Sequence, residues 1–329
     1  IYPINFDNDR DGIYLESLRI IKLWMSHGVR IFRVDNPHTK PVNFWAWLLA
    51  EVRKTDPDVL FLAEAFTKPA MMHALGKAGF QQSYTYFTWR NEKWEIEEYM
   101  KELTSESDSF FRPSFWPNTP DILPHFLHWG GKPAFTIRAV LASTLSPLWG
   151  IYSGFELFEN AALAQGREEY LDSEKFQYRP RDWRAADESG ENLNMLLGKL
   201  NQIRKEHPAL QQLRELHFHH APNANAVVYS KRSGDDVVLV VVSLDPHNIV
   251  ETDLYLDMEA MGLTARDVYL VHDELTGQTW RWGQHAFVRL THDDPAHILT
   301  LIRYGSRSAA AGPATAQGSS RATPRWLPS

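Results

Sequence analysis

The chain has 329 residues, 43% of them hydrophobic and 23% charged, with a formal net charge of −7 and no cysteine. This length allows a barrel plus a smaller domain. The lack of cysteine excludes disulfides, thiolate metal sites and a cysteine nucleophile, and it fits a reducing cytoplasm. The acidic balance argues against a nucleic-acid partner. Unbroken apolar runs such as Val237 to Val242 fall short of the roughly 20 residues that a membrane span needs.

The first part of the sequence predicts helices that alternate with strands. Apolar residues recur at helical spacing from Ile13 to His27, and the apolar run Val29 to Val34 follows. This pattern predicts a helix that leads into a buried strand. After Pro41, a second helical pattern covers 44–54, and Val59 to Ala63 again predicts a buried strand. The order predicts a βαβ unit and hence an α/β fold.

Each of these two predicted strands ends in an acid, Asp35 and Glu64. In barrels of alternating strands and helices, the C-terminal ends of the strands carry the reacting groups. Arg33 shares a strand face with Asp35, and a guanidinium favours an ionised carboxylate, as a nucleophile requires. No basic residue follows Glu64 before Lys68, so burial is expected to raise the pKa of Glu64, as a general acid requires. A purely structural Arg33–Asp35 ion pair is the alternative.

The pattern continues with helices predicted over 69–78, 91–103, 133–145 and 192–207, and strands over 83–87 and 148–152. A third acid, Asp121, ends an aromatic, proline-broken segment that begins at Phe110. Taken alone, Asp121 fits a cap for the next helix, a role that aspartate often has.

The texture of the sequence changes at about residue 215. Eight short strand-like runs are separated by turn residues, at 217–220, 226–232, 237–244, 252–256, 268–272, 279–282, 286–290 and 298–303. Such an array predicts an antiparallel β-sandwich. Residues 305–329 are rich in Ala, Ser, Gly and Pro and are predicted to be a disordered tail. The predicted division is therefore 1–213, 214–304 and 305–329.

Three acids after successive barrel-like strands indicate glycoside chemistry. Cleavage of a glycosidic bond passes through an oxocarbenium-like state, with one carboxylate as nucleophile and another as general acid. In retaining enzymes the two carboxyl groups lie about 5–5.5 Å apart, and this separation is predicted for Asp35 and Glu64. The third acid, Asp121, is expected to bind sugar hydroxyls and hold the ring distorted.

Several motifs also resemble those of a known family. Gly28-Val-Arg-Ile-Phe-Arg-Val-Asp35, Phe61-Leu-Ala-Glu64 and Asn118-Thr-Pro-Asp121 are similar to the nucleophile, acid/base and transition-state-stabiliser motifs of the α-amylase superfamily, glycoside hydrolase family 13. Asp35-Asn-Pro-His-Thr-Lys-Pro41 and Ser173-Glu-Lys-Phe-Gln-Tyr-Arg-Pro-Arg-Asp-Trp183 resemble the bacterial α-1,4-glucan:maltose-1-phosphate maltosyltransferases. The resemblance extends to about residue 304. It implies strands four to eight of a TIM (β/α)8 barrel, followed by an all-β antiparallel sandwich.

The resemblance implies a retaining transfer of maltosyl units from α-maltose 1-phosphate to α-1,4-glucans, without metal or cofactor. It assigns the nucleophile, acid/base and stabiliser roles to Asp35, Glu64 and Asp121, and donor contacts to Arg33, Asn36, Lys175 and Phe176. From the residues alone, Asn36 would be a turn residue and Lys175 a solvated loop charge. Family members often carry Tyr at the position of Phe176, so weaker donor binding is expected here.

The resemblance also implies that three barrel strands and further domains precede Ile1. The chain is therefore expected to be a fragment of a longer enzyme, poorly folded or inactive alone, because an open barrel exposes strand edges. Full-length members are expected to be homodimers, although the sequence leaves the oligomeric state open. Two other functions compete, an α-glucan hydrolase and an inactive glucan-binding remnant. Trp280 and Trp282 are candidates for glucan contact, but packing is the favoured interpretation.

Overall fold

The computed structural model describes residues 5–174 and 178–302. A five-stranded parallel sheet, ordered as in the chain, occupies the first part. Its strands are β1 (Ile31–Asp35), β2 (Leu60–Glu64), β3 (Gln82–Tyr84), β4 (Pro113–Phe115) and β5 (Leu148–Trp149). The helices are α1 (Arg10–Ser26), α2 (Val42–Arg53), α3 (Pro69–Ala78), α4 (Lys93–Lys101), α5 (His125–Leu145), α6 (Trp183–Ser189) and α7 (Asn194–Glu206). The predicted alternation is confirmed, whereas β4 and α6 were not predicted.

The first helices pack on the sheet through a shared apolar cluster. Phe44, Leu48 and Val52 lie one helical turn apart on α2, and all three are buried together with Phe61 of β2. This spacing places one face of the helix on the sheet, as its apolar periodicity predicted. The cluster fixes where β1 and β2 end, and thereby where Asp35 and Glu64 lie.

Helix α5 is interrupted near its start. Gly131 has a non-helical backbone, with φ 60° and ψ −161°, and Pro133 follows it. Since proline favours the first turn of a helix and lacks an N–H donor, the regular part begins near Pro133. The predicted helix over 133–145 matches this part, and the structure adds one shorter piece from His125.

The second part is an antiparallel sandwich. Its strands are β6 (Leu216–Phe218), β7 (Ala226–Ser233), β8 (Asp236–Ser243), β9 (Val250–Tyr255), β10 (Tyr269–Asp273), β11 (Thr279–Trp282), β12 (His285–Leu290) and β13 (Ala296–Ile302). Six of them form a sheet in the order β11-β10-β13-β8-β7-β6, and β12 pairs with β9. Apolar residues of both sheets share one core, among them Val228, Leu239, Leu254 and Val288. The predicted eight-strand sandwich is confirmed.

Strand β8 divides its side chains between two cores. Val238, Val240 and Val242 pack with the helices of the first part, whereas Leu239 and Val241 pack inside the sandwich. Successive side chains of a strand point to opposite faces, so a strand covered on both faces is apolar throughout. This double burial accounts for the unbroken run that starts at Val237, and it joins the two parts of the chain through one sheet.

The boundary between the two parts and the C-terminal tail were both predicted from the sequence. Strand pairing changes from parallel to antiparallel between β5 and β6, but the division at 213/214 stays a prediction. The predicted tail over 305–329 lies outside the described residues. Within the described ranges, no helix combines the length and apolar character needed to cross a membrane.

Candidate active site

The first two acids lie side by side at the C-terminal end of the parallel sheet. β1 and β2 pair in parallel with Asp35 opposite Glu64. The side chain of Asp35 is 67% exposed and that of Glu64 is 8% exposed. The sheet therefore presents one accessible and one buried carboxylate at the same edge, the predicted place. Their predicted separation of about 5–5.5 Å stays a prediction.

Arg33 contacts both acids. Its Nη1 lies 3.4 Å from Asp35 Oδ2, and its Nη2 lies 3.4 Å from Glu64 Oε1. The expectation that Glu64 lacks a nearby cation is therefore wrong. Arg33 is the register partner of Leu62 on β2, so its long side chain reaches the end of both strands. The contact between Arg33 and Glu64 could not be predicted from the sequence, because the two residues belong to different strands.

Asn36, the residue after β1, forms hydrogen bonds with both Asp35 and Glu64. Its side-chain Nδ2 donates to Asp35 Oδ1 at 2.6 Å. Its backbone N–H faces Glu64, 2.9 Å from the carbonyl oxygen and 3.3 Å from Oε2. Asn36 has a left-handed backbone, with φ 45° and ψ 49°, a conformation that asparagine tolerates better than most residues. Asn36 is thus a turn residue, as expected from the residues alone. It also contacts both acids.

The third acid, Asp121, follows β4 in a tight loop. Thr119 and Ile122 form an isolated antiparallel bridge around it, and the Asp121 backbone N–H donates to Thr119 Oγ1 at 3.2 Å. The helix-cap alternative is wrong, because Pro124 occupies the N-cap of α5 and makes no side-chain cap. The negative charge of Asp121 raises the pKa of Glu64, so the loop brings it within electrostatic reach of that carboxyl.

Burial is the main cause of a raised pKa at Glu64. The Arg33 charge and the Asn36 backbone N–H act in the opposite direction, while the charges of Asp35 and Asp121 raise the pKa further. Desolvation disfavours the charged form of an acid, and it prevails here over the guanidinium. Glu64 is therefore suited to hold a proton beside the exposed carboxylate of Asp35, as the sequence predicted, although the electrostatic balance is more complex than predicted.

Several aromatic rings lie near Arg33 and the end of β2, and none of them was predicted as a site residue. The Tyr84 ring stacks on Trp116 with centroids 4.8 Å apart, and the Arg33 guanidinium lies 5.8 Å from the Tyr84 centroid. Phe66, two residues after Glu64, meets Trp89 edge-on at 5.2 Å. Such rings offer flat apolar faces to sugar rings. The available signal for Phe66 was its position two residues after Glu64, the acid that ends β2.

The predicted donor contacts Lys175 and Phe176 lie outside the described residues. The residue before them, Glu174, accepts hydrogen bonds from Arg181 Nη1 at 3.0 Å and from Tyr152 Oη at 3.2 Å. The Arg181 side chain is only 6% exposed and also binds Glu159 at 2.8 Å. This ion-pair network holds Glu174 in place. Lys175 and Phe176 stay predictions because they lie outside the described residues.

A cavity in the sandwich lies apart from Asp35, Glu64 and Asp121. It has a volume of about 810 Å³ and lies in the sandwich, where His217, Tyr255 and Asp257 line it. Concave shape alone therefore does not mark the chemistry, and the convergence of three carboxylates is the stronger signal. Across residues 5–174 and 178–302, no cluster of three or more His, Asp or Glu side chains is arranged to hold a metal ion.

The sequence and fold of the chain are similar to those of known proteins. A family model described as "GLGE, C-terminal" matches residues 218–301. The chain is 58% identical over 314 residues to α-1,4-glucan:maltose-1-phosphate maltosyltransferase 2 of Streptomyces coelicolor, covering 95% of the chain and 46% of that protein. It is 51% identical over 316 residues to the maltosyltransferase of Mycobacterium tuberculosis H37Rv, covering 94% and 44%.

Solved structures show the same fold at low identity. An α-amylase from Geobacillus thermoleovorans, complexed with acarbose, superposes with a TM-score of 0.68 and 14% identity, covering 91% of this chain and 66% of that one. An Anoxybacillus α-amylase gives a TM-score of 0.69 and 12% identity, covering 92% and 65%. These likenesses support a partial TIM barrel followed by a β-sandwich. The chain spans about half the length of the curated relatives it matches, and over that span its sequence is similar to theirs.

Proposed function

We propose that this chain carries the reacting groups of a retaining maltosyltransferase, which moves maltosyl units from α-maltose 1-phosphate to the non-reducing end of α-1,4-glucans and releases phosphate. One observation carries the proposal. Asp35 is exposed and Glu64 is buried with a raised pKa, although the two acids are register partners that share Arg33. Two adjacent carboxyl groups in contrasting environments match the division between nucleophile and general acid.

In the first half of the reaction, an Asp35 carboxylate oxygen attacks the anomeric carbon of the donor. The bond between that carbon and the phosphate oxygen breaks, and Glu64 gives its proton to the departing phosphate. The product is a β-maltosyl ester of Asp35 and free phosphate. Arg33 and the Asn36 amide hold the Asp35 carboxylate in place. Asp121 is proposed to bind ring hydroxyls while positive charge develops at the anomeric carbon.

In the second half, the ionised Glu64 takes the proton of the 4-hydroxyl at the non-reducing end of a glucan. That oxygen attacks the anomeric carbon, the bond to Asp35 breaks, and the α configuration is restored by the second inversion. Burial raises the pKa of Glu64, which favours its return to the protonated form. The same group thus serves as acid and then as base.

The phosphate of the donor requires hydrogen-bond donors. Asn36 lies beside the proposed nucleophile, and Lys175 follows the anchored residue Glu174. Amide and ammonium groups both donate to phosphate oxygens. We assign them this role on the similarity to the family, with Phe176 next to Lys175 in the donor site. Homodimer formation and a cytoplasmic location belong to the same proposal, and neither a metal nor a cofactor takes part in it.

The test is release of phosphate from α-maltose 1-phosphate in the presence of a maltooligosaccharide. The chain and its Asp35→Ala variant are compared, and acceptor length is measured in the same samples. Phosphate release with acceptor lengthening only when Asp35 is present supports the transfer. Release of free maltose without lengthening instead indicates the second candidate, an α-glucan hydrolase type of reaction, since water uses the same acids. The lack of any turnover with either chain contradicts the proposal for this chain and agrees with the expectation that a fragment is inactive alone.

A further inference from the structure

A short hairpin over residues 161–171 lies against the loops that carry the candidate site. The Leu163 N–H donates to the Glu169 carbonyl at 2.8 Å, and the Leu171 N–H donates to the Ala161 carbonyl at 2.9 Å. Gly166, with φ 73°, lies in the turn. The segment is therefore a folded element with its own backbone pairing, and it presents side chains at defined positions.

One residue of this hairpin, Glu168, connects two separate loops. Its Oε2 accepts a hydrogen bond from Trp89 Nε1 at 3.0 Å, and its Oε1 accepts one from the backbone N–H of His125 at 3.1 Å. Its own carbonyl accepts the Leu123 N–H at 2.9 Å. A single half-buried carboxylate thus holds the ring that follows β3 and the chain that follows β4.

Tyr170, two residues further along, fixes the other end of the loop after β4. Its hydroxyl accepts a hydrogen bond from Asn118 Nδ2 at 2.7 Å. Asn118 is fully buried, and its Oδ1 accepts the Tyr152 N–H at 2.9 Å. The hairpin therefore contacts both ends of the segment 118–125, Asn118 through Tyr170 and His125 through Glu168. Asp121 lies between these two contacts.

The backbone beside Trp89 is held independently. Arg138 is 2% exposed and donates to the Arg90 carbonyl at 2.7 Å and also to the Phe87 carbonyl. With this backbone fixed, the contact with Glu168 selects the orientation of the Trp89 ring. That ring meets Phe66 edge-on at 5.2 Å, and Phe66 is two residues from Glu64.

We propose that Glu168 is a positioning residue, which sets the Asp121 loop and the Trp89 ring at the correct distance from Glu64. The inference rests on the proposed transfer and extends it to a residue outside the three acids. Glu168 acts through its two hydrogen-bond donors and is not assigned a contact with substrate. Because reacting groups must be held within a fraction of an ångström, a small displacement of this loop reduces turnover more than binding.

The first experiment compares Glu168→Gln with Glu169→Gln in the whole chain. The glutamine at 168 keeps the size but replaces one acceptor oxygen by an NH₂ group, which cannot accept from an N–H. Glu169 is an exposed neighbour and is the matched control. Glutamine keeps one acceptor oxygen for two donors, so either the Trp89 indole N–H, assigned with Trp89→Phe, or the His125 backbone N–H should shift and exchange faster with water in Glu168→Gln only. Two unchanged resonances, or equal changes in both variants, overturn the proposed contact.

The second experiment measures phosphate release with a maltooligosaccharide acceptor. We expect kcat to fall about tenfold in Glu168→Gln, with the KM for α-maltose 1-phosphate changed less than about twofold and the control unchanged. Glu168→Asp, which retains the charge, should recover part of kcat. Equal kcat in all variants, after correction for the folded fraction, overturns the positioning role. A wild-type chain without turnover contradicts the proposed function itself, while the resonance comparison still decides the contact.

Discussion

The two parts of the chain each bury a carboxylate, and the two carboxylates behave in opposite ways. The side chain of Glu64 is 8% exposed, and that of Asp273, at the end of β10, is 0% exposed. Burial raises the pKa of Glu64 against the opposing Arg33 charge and Asn36 N–H. Burial also acts to raise the pKa of Asp273, but hydrogen bonds and the His297 charge outweigh it and lower that pKa. Burial therefore does not by itself identify a reacting acid.

The difference lies in how completely each carboxylate is satisfied. Asp273 accepts from His297 Nδ1 at 3.0 Å, from Thr276 Oγ1 at 2.7 Å, and from the backbone N–H groups of Leu275 and Ile298 at 3.2 and 3.1 Å. Glu64 receives the longer contacts from Asn36 and Arg33, at 3.3 and 3.4 Å. A fully bonded carboxylate stabilises the fold, whereas an incompletely bonded one can exchange a proton.

The largest expected effect is on turnover in Glu64→Gln. Loss of the proton donor should reduce kcat for phosphate release by about 10²- to 10⁴-fold. Stability should not decrease, because the folded state raises the pKa of Glu64 and its stabilising contribution is lost as pH rises through that value. Glutamine is uncharged at every pH, so at pH 7 the variant avoids the cost of burying an ionised carboxylate. Denaturant unfolding at pH 7 checks the second point, and a marked loss of stability would mean that Glu64 is a structural acid.

The second prediction concerns Asp273→Asn, which should do the reverse. Removal of the charge leaves the partly buried His297 and several donors of the buried Asp273 incompletely paired, at a cost of about 3 kcal/mol in the free energy of unfolding. The kcat of the folded fraction should be unchanged. Asp253→Asn is the control, because its pair with His285 at 3.2 Å is about half exposed and is worth less than about 1 kcal/mol. Equal losses in both variants would contradict the comparison.

Glu64 and Asp273 should also differ in how pH affects the protein, Glu64 through activity and Asp273 through stability. Glu64 has a raised pKa, so kcat/KM should fall as pH rises through it and the general acid loses its proton. Asp273 has a lowered pKa, so its stabilising contribution is present above the unfolded value of about 3.9 and is lost as pH falls through the folded value. Activity and unfolding profiles measured in one buffer series check both directions.

Substitution of Arg33 sharpens the same comparison. In Arg33→Gln the charge that lowers the pKa of Glu64 is absent, so the alkaline limb of kcat/KM should move to higher pH. The maximum should also fall, because Asp35 loses its contact at 3.4 Å. Arg30→Gln is a matched control, since Arg30 pairs with Asp56 at 2.9 Å on the exposed surface. An alkaline limb that stays in place would show that Arg33 does not act on Glu64.

The smallest effect is expected at the contact between the two parts of the chain. The Tyr229 hydroxyl of β7 and Thr144 Oγ1 of α5 lie 2.5 Å apart, and both residues are buried. Tyr229→Phe removes this hydrogen bond and should reduce the free energy of unfolding by about 1 kcal/mol without a change in kcat. Tyr255→Phe, at a residue 48% exposed, is the control. A change in kcat would indicate that the sandwich influences the site.

The sequence predicted the elements that have a clear period. The helix predicted over 69–78 matches α3 to the residue. All eight sandwich strands were predicted, because short apolar runs alternate with turn residues in that part of the sequence. Strand β4 escaped prediction, since it has only three residues, begins at Pro113 and lies among aromatics. Helix α6 was missed because its seven residues bury no side chain.

The same limit applies to the candidate site. The placement of Asp35 and Glu64 was predictable, because an acid that ends an apolar strand is a local pattern. The reach of Arg33 to Glu64 was not, since it depends on the register of two strands. Glu168 lies 79 residues from Trp89 and 43 from His125. Its loop shows no periodicity, so only the folded chain brings these groups together.

The left-handed backbone at Asn36 has a consequence for which amino acids this position can accept. Glycine adopts that conformation easily but has no amide to reach Asp35. Aspartate tolerates it but would set a further negative charge against two carboxylates. Residues with a branched β-carbon would be strained at φ 45°. Among these residues, asparagine is the one that combines the backbone shape, the neutral charge and the hydrogen-bond donor, so the chemistry and the chain geometry together favour it at this position.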